Sequence, residues 1–212
     1  MKIIEITGVA GVGKSYILKA LLKDKYVVSD VDILRRYSVS DIYLIYLFFR
    51  LKGSIKIFKT ILNIARELNM SLLDKLNFIR NTVKKVGKNV YLSNIEFIDN
   101  RVVLVDEGIS HLYQNVVTPK RQNNLKILIL LNKFISMVEK QFPAEVIVVK
   151  ASVPTIMERL KQRGHKRLKK GEIELFIKNS EKNLSVVYKV FNNVRTITNE
   201  DDLELIQGVT NV

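Results

Sequence analysis

Residues 8–15, GVAGVGKS, set two glycines five positions apart and follow them with a lysine and a hydroxyl. Backbone N–H groups can close around an anion only where the chain bends tightly and no Cβ intervenes. Gly8, Gly11 and Gly13 therefore mark a cradle of phosphate size. A helix beginning near Ser15 would aim its positive dipole end at the same point. Lys14 adds a point charge suited to β- and γ-phosphates, and the Ser15 hydroxyl suits Mg²⁺. A plain glycine turn competes with this reading, but the motif lies between a strand signal and a helix signal, as the phosphate loop requires.

Such a loop needs a second carboxylate beside the metal, carried at the end of a neighbouring strand. VVLVDEG, residues 102–108, supplies Asp106 for that place. Glu107 follows it, to activate a water, to contact a phosphoryl acceptor, or merely to begin a loop. RLKQRGHKRLKK, residues 159–170, carries seven basic residues and no acidic one. Phosphoryl transfer develops charge that cations must meet while water is kept out, so Arg159, Arg163 and Arg167 fit a lid over a triphosphate. A solvated helix face is the bland alternative. A nucleic-acid patch is not favoured, because no aromatic residue is interleaved for base stacking.

These groups need a scaffold to hold them. Strands are expected at 2–7, 25–30, 101–108, 144–152 and 194–198, where β-branched runs end in polar residues or glycine. Helices are expected at 15–23, 54–69, 122–140, 153–163 and 172–191, with another opening at the capping-box pair Ser71 and Asp74 and ending at Gly87. Strands alternating with helices imply an α/β fold with a parallel sheet covered on both faces. The expectation is one domain over 1–212, with a helical acceptor-side insertion at about 40–100 and a lid at about 159–171.

The run Ile42–Phe49 is apolar throughout but far short of the roughly 20 residues a membrane span needs. A buried helix is the first reading. An interfacial helix over 42–59, with Arg50, Lys52, Lys56 and Lys59 toward lipid headgroups, is the second.

The chain has 212 residues, 47% apolar and 26% charged, which is a globular profile. It has no cysteine, which removes disulfides, thiolate metal sites and cysteine nucleophiles. With no signal peptide visible, a cytoplasmic location is expected. The net charge of +14 invites anionic partners. Two isolated histidines, His111 and His165, do not make a metal site.

With GVAGVGKS at the front and VVLVDEG between, the stretch FPAEVIVVKASVPTIMERLKQRG (142–164) resembles the strand, turn and lid helix of nucleoside and nucleotide kinases. The chain is similar in its sheet-forming parts to P-loop kinases related to thymidylate and shikimate kinases. That resemblance implies a P-loop three-layer sandwich with sheet order 2-3-1-4-5. It implies that Gly8, Gly11, Val12, Gly13, Lys14, Ser15 and Tyr16 hold ATP, with Ser15 and Asp106 on Mg²⁺, and that Arg159 and Arg163 close over it. VVSDVD (27–32) is similar to the Asp-x-Asp of shikimate-type kinases, which carries to Asp30 and Asp32 as acceptor-side base or metal shell. The Asp-Arg-Tyr and Glu-Pro elements of thymidylate kinases are missing, which speaks against thymidylate as acceptor. Arg35, Arg36 and Arg80 read first as surface arginines, with a grip on an anionic acceptor as the second reading.

The reading is an ATP-dependent phosphotransferase acting with Mg²⁺ on a small-molecule acceptor such as a nucleoside, nucleotide or sugar. An NTP-hydrolysing switch, a polynucleotide 5′-kinase using the basic lid, and a membrane-surface kinase stand as alternatives.

Overall fold

The computed structural model describes residues 2–95, 101–116, 125–162 and 173–199. Alternation along the first strand decides how its layers are built. In β1 (Lys2–Gly8), Ile4 and Ile6 enter the larger apolar cluster, while Ile3 joins a smaller one with Ile33, Leu92, Val103 and Val105. Successive side chains of a strand point to opposite faces, so both faces of the sheet are covered.

The elements follow in order: α1 (Lys14–Leu21), β2 (Val27–Ser29), α2 (Asp30–Arg36), α3 (Asp41–Arg50), α4 (Ser54–Glu67) and α5 (Leu72–Ser93). Then come β3 (Val102–Asp106), a 3₁₀ turn at Ile109–His111, α6 (Leu112–Val116) and α7 (Leu125–Glu139). The chain continues through β4 (Glu145–Lys150), α8 (Val153–Gln162), α9 (Ile173–Val190) and β5 (Val194–Thr198). All pairings are parallel, in the order β2-β3-β1-β4-β5. Ile6 pairs with Asp106 and Ser29 with Leu104, so β1, β3 and β2 finish side by side at one edge. Ligands of open α/β sheets bind at that carboxyl edge.

Three expectations needed correction. Gly87 does not end its helix: α5 runs on to Ser93, and Gly87 sits inside it. A Cβ there would lie 2.0 Å from the Leu44 carbonyl oxygen, so this glycine lets the backbones of α3 and α5 touch. The run 42–49 does form a helix, but only one side of it is buried. Leu44 and Phe48 enter the core, whereas Ile42, Tyr43, Tyr46 and Phe49 are exposed. The second strand is also shorter than expected, because Ser29 caps a helix through the Val31 N–H (3.1 Å) and Asp30 becomes its first residue.

The capping pair behaved as its spacing required. Ser71 Oγ accepts from the Asp74 N–H at 3.2 Å and donates to the Asp74 carboxylate at 2.7 Å. Phe48, Ile57, Ile61, Ile64, Val83 and Val86 of the helical stretch share one apolar cluster with Ile4, Ile6 and Ile147 of the sheet. No helix among the described residues is long and apolar enough to cross a membrane.

Candidate active site

The loop after β1 enters α1 through Gly13, whose φ of 93° belongs to the left-handed region. A Cβ on Gly13 would meet Asn199 Nδ2 at 2.1 Å. The left-handed backbone favours glycine here, and any Cβ would also displace the Asn199 amide. No side chain caps α1, and its first turn holds no acid, so its positive end opens toward the loop. Lys14 Nζ bonds the Gly8 carbonyl at 2.9 Å and lies 3.5 Å from that of Val9, folded over the loop it would serve. Ser15 and Tyr16 are exposed in the first turn of α1. The Val12 side chain is buried, and its carbonyl accepts from Arg159 Nη1 (3.1 Å) and Asn199 Nδ2 (2.9 Å).

Beside the loop, β3 ends at Asp106. Burial pushes the Asp106 carboxyl above the usual range, Glu107 and Asp30 add to the shift, and Lys14 and Lys88 oppose it. A cation bound at this carboxylate would offset its desolvation. Glu107 has a φ of 53°, and its carboxylate lies 3.5 Å from His111 Nε2. Burial, opposed by Glu107, pushes His111 down to about 4, so this ring is neutral near pH 7. Beneath the same turn lies Glu5, an acid buried in β1, which accepts from the Ile109 N–H (3.0 Å) and the Ser110 N–H (2.8 Å).

Asp30 is buried and ion-paired through Oδ2 to Lys88, while its Oδ1 has no hydrogen-bond partner among the described residues. It lines a cavity of about 650 Å³ with Asp106, Glu107, Lys85, Lys88 and, on the apolar side, Leu34, Leu44, Met70 and Phe78. A larger hollow of about 740 Å³, around Lys2, Glu139 and Glu145, lies at the opposite, amino-terminal edge of the strands and far from this chemistry.

The fold thus brings Lys14, Asp30, Asp106 and Glu107 together with the glycine loop, and sets Arg159 against that loop. It does not bring in Asp32, which is exposed and does not line the cavity. Two positions apart on a helix, Asp30 and Asp32 face different ways. Arg35 and Arg36 are exposed and also do not line it, and Arg80 is held by Asp41 at 2.8 Å. Arg163, Arg167 and His165, with most of the basic segment, lie outside the described residues.

Sequence reading missed the lysines of α5. Lys84 pairs with Asp41 at 2.6 Å, Lys88 pairs with Asp30, and Lys85 donates to the carbonyls of Glu107 and of Gly108 (3.0 Å). Burial pushes the Lys85 ammonium down to about 8, with Lys88 adding to the effect. The signal was present as KKVGK, whose i, i+3 and i, i+4 spacings put these lysines on neighbouring rows of one helix.

No family model and no curated protein matches the chain. Among solved structures, a shikimate kinase from Acinetobacter baumannii in complex with shikimate aligns over 99% of this chain and 90% of its own, with 12% identity and a TM-score of 0.45. A deoxyadenosine kinase from M. mycoides with bound dCTP aligns over 98% and 95%, with 18% identity and a TM-score of 0.47. The chain's own sheet order, with the glycine loop leading from β1 into α1, is that of the P-loop kinase fold.

Proposed function

We propose that this protein is a phosphotransferase that moves the γ-phosphoryl group of ATP, with Mg²⁺, to a hydroxyl of a small-molecule acceptor. The observation that carries this reading is Asp30. A buried carboxylate, fixed on one oxygen by Lys88 and without a hydrogen-bond partner on the other among the described residues, belongs to a residue lining a cavity that also reaches the loop-side acid Asp106. Once the Asp30 carboxylate turns toward that cavity, an acceptor hydroxyl donating to it would satisfy its second oxygen and be oriented for attack.

Gly8, Gly11, Val12 and Gly13 would hold the phosphates through backbone N–H groups, with Ser15 and Tyr16 at the opening of α1. Lys14 would exchange the loop carbonyls for phosphate oxygens. The residues fit a divalent ion at Ser15 and Asp106, since Asp106 is a partly buried acid whose burial already opposes its charge. When bound, Mg²⁺ supplies charge neutralisation on the phosphates.

In the transfer, the acceptor oxygen bonds to the γ-phosphorus and the bond from that phosphorus to the β-phosphate bridging oxygen breaks. The hydroxyl proton passes to Asp30, and ADP leaves. Arg159, with Arg163, would meet the charge that develops on the transferred group, once Arg159 turns from the Val12 carbonyl. Glu107 borders the cavity and would contact the acceptor.

The test is ATP consumption against pools of nucleosides, nucleotides, sugars and short oligonucleotides, with no-acceptor controls. The expected result is a phosphorylated small molecule, slow hydrolysis without acceptor, and loss of transfer with unchanged nucleotide affinity in Asp30→Asn. Polymer-stimulated hydrolysis that falls with salt and yields no phosphorylated product overturns the reading.

A further inference from the structure

The outer side of α3 plays no part in the site. Ile42, Tyr43, Tyr46 and Phe49 recur every three or four residues and form one exposed apolar stripe along the helix. Tyr43 and Tyr46 stack at 6.1 Å, and Arg50 donates to the Tyr46 hydroxyl at 2.9 Å. Arg50 and Lys52 share a cavity with both tyrosines. Phe49 packs on Phe58 at 5.4 Å, which seats the first turns of α4 beside the end of α3. There Ile55, Lys56 and Lys59 are exposed.

The charge over this surface is one-sided. Residues 42–66 contain Arg50, Lys52, Lys56, Lys59 and Arg66 and no acid. The flanking acids are already engaged, Asp41 by Lys84 and Arg80, and Glu67 by Lys126 at 2.6 Å. Exposed isoleucines and aromatic rings beside uncompensated cations complement acyl chains lying beneath anionic headgroups. A second copy of the chain would bring the same cations face to face across a two-fold axis.

We propose that α3 and the first turns of α4 form a docking surface for an anionic lipid bilayer, on which the protein lies without crossing. This inference is independent of the reaction assigned to the cavity. Ile42 and Ile55, 79% and 69% exposed, serve as shallow anchors, and Arg50 and Lys52 hold the headgroups.

Sedimentation of the full chain with vesicles tests it, using phosphatidylcholine alone and phosphatidylcholine mixed with phosphatidylglycerol. Binding is expected only to the mixed vesicles. Ile42→Ser with Ile55→Ser should weaken it about tenfold. Arg50→Gln with Lys52→Gln should weaken it by at least about tenfold. Both pairs are exposed, and matching melting temperatures would establish that the variants fold. No vesicle binding by the wild type overturns the proposal. Binding that the isoleucine pair leaves unchanged overturns it too, because charge elsewhere, such as 159–170, would then be responsible. Self-association or oligonucleotide binding lost in the isoleucine pair, without lipid binding, also overturns it.

Discussion

Lys88, more than four turns into α5, forms an ion pair with Asp30, the first residue of α2. The pair joins the helical stretch to the end of β2 and leaves the other oxygen of Asp30 buried, with no hydrogen-bond partner among the described residues. Lys88→Met would strand a buried carboxylate and should destabilise the fold by about 3 kcal/mol. Asp30→Asn with Lys88→Met should recover most of that loss. Urea unfolding of the singles and the double measures the coupling, and additive losses would show the two residues to be independent.

Lys14→Ala should abolish nucleotide turnover and cost the free protein about 1 kcal/mol or less, since the lysine meets loop carbonyls and not the core. Thermal unfolding with and without Mg-ATP checks this. A variant stabilised by Mg-ATP as much as the wild type would remove the phosphate role.

Asp106→Asn should weaken nucleotide binding in the presence of Mg²⁺ by about tenfold more than in its absence. The free variant should be at least as stable as the wild type near neutral pH, because burial opposes the Asp106 charge. Equal losses with and without metal would end the metal assignment.

Glu139 gives a pH signature unrelated to catalysis. Burial pushes its carboxyl from 4.5 up to about 7, with Glu5 adding to it and an Ala144 backbone hydrogen bond opposing it. A raised carboxyl pKa favours the folded state while the group is protonated. Its contribution is therefore complete below pH 4.5 and disappears as pH rises through about 7. Glu139→Gln should be more stable than the wild type by about 2 kcal/mol at pH 8 and equal to it at pH 4. Denaturant unfolding at both values decides, and a constant difference would contradict the burial argument.

Gly87→Ala gains about 1 kcal/mol of helix propensity but must push α3 away from α5. The net expectation is a loss of about 2 kcal/mol, read from denaturant unfolding. A variant as stable as the wild type would mean that the crossing can loosen.

The sheet was legible because its strands are β-branched runs closed by glycine or polar residues, and all five expected strands are present. The positions of the loop and of Asp106 were legible because a glycine motif marks the turn after β1 and an apolar run ending in an acid marks the end of β3. The cavity was not, because it is made by a crossing of helices distant in sequence. Lys88 and Asp30 are 58 positions apart. Gly87 read as a stop signal because helix-ending and backbone-contact glycines look alike in one dimension. Asp32 looked equivalent to Asp30 while both were placed after a strand, and became exposed once the helix began at Asp30. Arg80 reads first as a surface arginine, and its partner, the Asp41 carboxylate of α3, is 39 positions away and gives no local signal.

The shared acceptor at the Val12 carbonyl has a consequence for which part of the molecule fails first. Asn199 follows β5, one of the two edge strands of the described sheet, and its backbone N–H is tied to the Lys150 carbonyl at 2.8 Å. Edge strands open at lower free energy than central ones. Fraying of β5 would withdraw Asn199 from Val12 and release the glycine loop while β1, β3 and β4 stay paired. Loss of nucleotide affinity on mild heating should therefore precede loss of the sheet, with amide exchange at Thr198 and Asn199 reporting the same event.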